Sequence, residues 1–135
     1  MKRLIIVIIS IAISIIFVDI PKYEELNNLA IIDAIGIEKE NDTVRLVLRE
    51  IVPLKDDNGI KYDYIYYKSN AQTVKEALIR IKKNTKKKVY LERCSYLVLD
   101  SNYSEDIKTT LHINPKIIYH RTDNVLDFVK RIGKK

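Results

Sequence analysis

The chain has no tryptophan, one cysteine, two phenylalanines, three glycines and three prolines among its 135 residues. With Cys94 alone no intramolecular disulfide can form, so a domain of this size must rest on a true hydrophobic core. So little glycine and proline excludes a flexible linker or a low-complexity tract, and no internal repeat is visible. Nine of the aromatic residues are tyrosine, which suits strands that turn one face to water. Catalytic signatures are missing as well: there is no glycine-rich phosphate loop, no G-x-S-x-G and no H-E-x-x-H.

What is present describes a folded chain. Apolar residues make up 47% and charged residues 31%, ordinary values that argue against disorder. The length supports one domain with at most a leader or anchor in addition. The formal charge is +6. Because Lys2, Arg3 and Asp19 are the only charges among the first 20 residues, the basic excess belongs to the domain. It favours anionic surroundings such as lipid headgroups, wall polymers or an acidic partner.

The N-terminus is the clearest feature. "MKR" precedes an uncharged run from Leu4 to Val18 dominated by isoleucine, the pattern of a secretory signal or a short signal anchor. A buried soluble helix would show a polar face, and Ser10 and Ser14 do not make one. Lys2 and Arg3 hold the N-terminus inside, which puts the rest of the chain outside the cytoplasmic membrane. The junction "FVDIPK" offers no small-x-small cleavage site and no cysteine for lipid attachment. By elimination the expectation is an uncleaved single-pass transmembrane helix over residues 1–20, followed by one domain over 21–135.

Within that domain, Leu29 to Ile37 reads as a strand. In "TVRLVLREIVPL" the residues Val44, Leu46 and Leu48 share one face and Arg45, Val47 and Arg49 the other, a half-buried strand ended near Pro53. "KDDNG" is a turn, and "IKYDYIYYKSN" a third strand with Tyr62, Tyr64 and Tyr66 along one side. "QTVKEALIRIKKNTKKK" is a helix: Thr73 and Glu76 form a capping box, and Val74, Ala77, Leu78 and Ile81 form a core-facing stripe. "KVYLERCSYLVLDSN" reads as one fourth strand. A short helix (104–111), a strand (116–120) and a C-terminal helix (124–131) follow. The expected fold class is α+β: a membrane helix, then one mixed sheet with packed helices in the order β-β-β-α-β-α-β-α.

No constellation of catalytic groups emerges. His112 and His120 lie in different elements without spaced acidic or cysteine partners. Cys94, between Arg93 and Ser95 in a strand, reads as a small packing residue. The expectation is therefore no enzyme, no cofactor and no metal site. The one conspicuous charge run is "KKNTKKK", Lys82, Lys83, Lys86, Lys87 and Lys88. It reads as a solvated helix end and turn, with contact to anionic lipid or wall polymer as the functional alternative. Nucleic acid lies on the wrong side of the membrane, and no small-molecule substrate is indicated.

At "YEELNNLAIIDAIGIEKE" the chain resembles the Ger(x)C spore-germination lipoproteins, the C subunits of nutrient germinant receptors. Glu25, Leu26, Asn27, Leu29 and Ala30 match the family's E-L-N-x-L-A, and Gly36, Ile37 and Glu38 stand where it has G-I-D. The later "SNAQTVKEALIRIKKNTKKKVYLERCSYLVLDSN" is similar to the family's helix, basic turn and strand. The resemblance runs from about Tyr23 to Asn102 and corresponds to the family's first domain. Aligned on Glu25-Leu26-Asn27, the family's lipidated cysteine falls at Ile20 and its Trp-Asp at Pro21-Lys22, so no lipid is expected. The resemblance implies an extracytoplasmic interaction module without enzymatic activity, at the inner spore membrane, with the membrane and other germinant receptor subunits as partners. A small basic envelope protein binding anionic lipid or wall polymer is the other reading.

Overall fold

A computed structural model describes residues 26–104, 107–113 and 116–133. A 3-10 turn (Leu26–Asn28) leads into six strands: β1 (Leu29–Glu40), β2 (Thr43–Asp56), β3 (Gly59–Ala71), β4 (Lys88–Tyr90), β5 (Tyr96–Asp100) and β6 (Ile118–Thr122). Three helices, α1 (Val74–Asn84), α2 (Ile107–Leu111) and α3 (Val125–Arg131), lie between and after them. The sheet runs β3-β2-β1-β5-β6, with β4 paired to the start of β1. β1, β2 and β3 form an antiparallel meander, while β4 and β5 lie parallel to β1 and β6 parallel to β5.

Each face of the sheet has its own cover. On one face Ile35, Ile37, Leu46 and Leu48 pack with Val74, Ala77 and Ile81 of α1 and with Ile107 and Leu111 of α2. On the other Ala34, Val47 and Val98 pack with Val125 and Val129 of α3. The local signals hold where they are strongest. The Thr73 hydroxyl accepts from the Glu76 amide at 3.2 Å and caps α1, and the Asn124 side chain accepts from the Asp127 amide at 3.3 Å and caps α3.

Several expectations are corrected. Among the described residues no helix is long and apolar enough to cross a membrane; the membrane helix expected over residues 1–20 falls outside the described residues. The element order gains a strand, because the expected single strand at 88–102 is two. Residues 91–95 form a turn between the two, with the Cys94 amide donating to the Leu91 carbonyl at 3.0 Å, beside a register shift in β1 between Ile32 and Ala34. β4 pairs up to Ile31 and β5 resumes at Ala34, so the chain between them detours round Asp33, with the Ser95 amide donating to the Asp33 carbonyl at 2.9 Å. β2 is not half-buried: α3 covers its second face, leaving Val47 1% and Arg49 0% exposed. Nor does Pro53 end it. Past its last pair with β1 at Glu50, β2 runs to Asp56 paired, among the described residues, with β3 alone, and there a missing N–H costs no ladder bond.

Candidate functional site

Adjacent residues of a strand point to opposite faces, and on β2 that rule separates two charges. Arg49 enters the α3 face and Glu50 the α1 face, and both are buried, at 0% and 2% exposure. The β1 bulge turns Asp33 toward Arg49. Arg49 Nε donates to Asp33 Oδ1 at 2.9 Å and Nη2 to Oδ2 at 2.7 Å, a two-point fork. Nη1 donates to the carbonyls of Val129 (2.7 Å) and Ile132 (2.6 Å) at the end of α3, where the helix dipole is negative. The guanidinium also lies 4.8 Å from the centre of the Tyr64 ring. Burial by itself would lower the Arg49 pKa, but the hydrogen bond and charge of Asp33 outweigh it and the net shift is upward.

On the opposite face, Glu50 Oε2 accepts from the Tyr67 hydroxyl and Oε1 from Lys87 Nζ, each at 2.5 Å. Burial and the bond to Glu50 raise the Tyr67 pKa. Both charges thus hold strands to covering elements: Arg49 ties β2 to β1 and α3, and Glu50 ties β2 to β3 and to the basic turn after α1. Chemically this is a pair of clamps. Sequence reasoning placed Arg49 on an ordinary half-exposed face and passed over Glu50 and Asp33. The signal was there in "VRLVLREIV" and "AIIDAIGI", where charges of opposite sign interrupt otherwise apolar strands.

The residues singled out from sequence are spread through the fold. Glu25 and Ile20 fall outside the described residues. Leu26 opens the 3-10 turn, Asn27 is exposed, Leu29 is half-buried and Ala30 is in the core. Gly36 lies beneath α3, where a Cβ would come within 2.8 Å of methyl carbons of Val125 and Val129; its smallness lets the helix seat. Lys82, Lys83, Lys86 and Lys88 are exposed, while half-buried Lys87 serves Glu50. Cys94 is buried and its thiol is pushed up to about 12, chiefly by burial, with Sγ directed at the Tyr96 carbonyl (3.3 Å). His120 on β6 stacks against Phe128 of α3 at 5.0 Å, and His112 follows α2 with a positive φ of 50°. Among the described residues no group of three or more His, Cys, Asp or Glu is arranged to hold a metal ion.

Comparison with known proteins agrees with the E-L-N-x-L-A resemblance. The family model described as "Spore germination protein N-terminal domain" matches residues 22–114, well over half of the chain. The match spans the 3-10 turn, β1 to β5 and α2, and ends before β6 and α3. No curated protein and no solved structure matches.

Proposed function

Because the chain belongs to the spore germination protein N-terminal domain family, we propose that it serves germination as a non-catalytic interaction module tethered at the outer face of a membrane. The observation that carries this reading is the family match over residues 22–114. Two features support it. The apolar run Leu4–Val18 behind Lys2 and Arg3 is suited to membrane association, and the buried charges Arg49 and Glu50 are engaged in holding the fold. The partners in this reading are other subunits of a nutrient germinant receptor at the inner spore membrane, as the Ger(x)C resemblance implies.

The test is genetic. Spores lacking the gene should lose optical density more slowly after at least one nutrient stimulus, and an intact copy should restore the rate. Germination unaltered with every nutrient tried would defeat the proposal.

A further inference from the structure

Three segments far apart in sequence meet at one end of the domain. The first is the entry of the chain: β1 begins at Leu29, directly after the 3-10 turn. The second is the lysine turn. α1 starts beside the Val44–Ala71 end of the sheet and runs back, so the residues that follow it reach the opposite end, where Lys88 pairs in register with Leu29. Lys82 and Lys88 line a cavity of about 340 Å³ together with Leu29. Lys87 lines a smaller one, about 190 Å³, with Asn27, Leu29 and Pro53.

The third segment is the distal part of the β2–β3 hairpin. Continuing the register from Ile32↔Glu50 sets Leu29 level with Pro53. From Leu54 to the turn before Gly59 the two strands form a ribbon, with no further strand beside it among the described residues, reaching about 10 Å further at roughly 3.3 Å per residue. Its side chains are conspicuously bare: Leu54 is 48%, Ile60 68% and Tyr62 55% exposed. The opposite end is different in kind. There the Glu40–Thr43 turn is polar, with Arg45 paired to Glu38 and Glu40 at 2.9 and 2.8 Å.

We propose that the end of the domain bearing Lys82, Lys83, Lys86 and the ribbon tip lies against an anionic lipid surface. The inference rests on the membrane-tethered reading given above. Seven residues lie between Val18 and Leu26, a stretch whose eight steps can span no more than about 28 Å. An apolar run in the membrane therefore keeps Leu29 and its neighbours close to the headgroups. The exposed lysines supply charge complementary to anionic lipid, an attraction that fades within a Debye length and so acts only at such proximity. Leu54, Ile60 and Tyr62 are of the types that settle at the headgroup–acyl boundary, with Lys61 and Lys55 long enough to keep their ammonium groups in water. Asp56, the last residue of β2, is ion-paired with Lys61, which reduces its repulsion from anionic lipid and leaves exposed Asp57 in the turn as an opposing charge at the tip. Lys87 takes no part, because its ammonium is bonded to Glu50.

The absence of native tryptophan makes a direct test possible. The full chain carrying Y62W, or D42W at the opposite end, is reconstituted into phosphatidylcholine vesicles with and without phosphatidylglycerol and with a brominated quenching lipid. The expected result is about twofold quenching of the Y62W probe in anionic vesicles and none of the D42W probe. Quenching should fall when Lys82, Lys83 and Lys86 become glutamine or when ionic strength is raised. I60W, on the same face of the ribbon, provides a second probe should Y62W fold poorly. A chain that floats with vesicles while its Y62W and I60W probes respond no more than D42W overturns this inference and leaves the tether standing. Equal quenching in neutral vesicles, unaffected by the lysine changes, overturns the anionic preference. A chain that fails to float with vesicles of either kind overturns the tethered reading, and this inference with it.

Discussion

β2 is one strand with two fates. From Thr43 to Glu50 it lies between β1 and β3 with helices over both faces, and Leu46, Val47, Leu48 and Arg49 are all at or below 1% exposure. From Ile51 to Asp56 it pairs, among the described residues, with β3 alone, and Leu54 is half exposed. The residue types hardly differ, since Val47 and Leu48 are matched by Val52 and Leu54. Cover differs. In the first half an arginine and a glutamate are taken fully inside because partners on neighbouring elements meet them, whereas in the second half Leu54 remains at the surface because among the described residues no element crosses the ribbon. Burial here is a property of position in the layer arrangement before it is a property of the side chain.

Substitutions that separate the two halves test this contrast. The largest effect is expected from Arg49→Ala, which leaves Asp33 and the Val129 and Ile132 carbonyls without their donor. Breaking a buried pair from one side costs about 3–5 kcal/mol, to be read from the midpoint of urea unfolding. Next comes Gly36→Ala, beneath the same helix. Its Cβ would sit 2.8 Å from methyl carbons of Val125 and Val129, an overpacking worth about 1–3 kcal/mol in the same assay. A change near wild-type stability would mean that α3 shifts freely and that the first half's cover is looser than described.

Glu50→Gln should cost about 1 kcal/mol, the scale of one net hydrogen bond, since the amide oxygen can still accept from Tyr67 and Lys87 is partly solvated and can turn to water. Raising the salt concentration should shrink the difference between the variant and the native chain. Leu54→Ser, in the second half, should move stability by no more than about 0.5 kcal/mol, as surface changes do. A loss approaching that of Gly36→Ala would show that the ribbon is covered in solution, and the contrast between the halves would fail.

The elements that were legible in sequence are those whose signals are local. The alternation of Val44, Leu46 and Leu48, the stripe of Val74, Ala77 and Ile81, and the Thr73 cap each state what a single segment prefers, and each segment adopts it. The candidate site was less legible because it depends on pairing. Arg49 reads as a surface residue until Asp33 is known to stand beside it, sixteen positions earlier in the chain, and α3 to lie above it, eighty positions later. The division of the fourth strand was hidden for a similar reason. The alternation in "KVYLERCSYLVLDSN" runs on without a Gly or Pro to mark a break, yet residues 91–95 turn aside between the two stretches that pair with β1.

By itself the sequence determined the local elements, the apolar run before the domain, the reliance on a core without disulfides and the kinship carried by Glu25 to Ala30 with Gly36. Each of these is written in composition or in spacing within a few turns or one strand. Only the tertiary structure decided that Arg49 and Glu50 are buried clamps, that Lys87 is occupied while Lys82, Lys83 and Lys86 face water, and that the lysine turn, the ribbon and the chain's entry share one end. Those outcomes depend on strand register and on the direction in which α1 returns, long-range choices made by the burial of whole faces, which no single segment encodes.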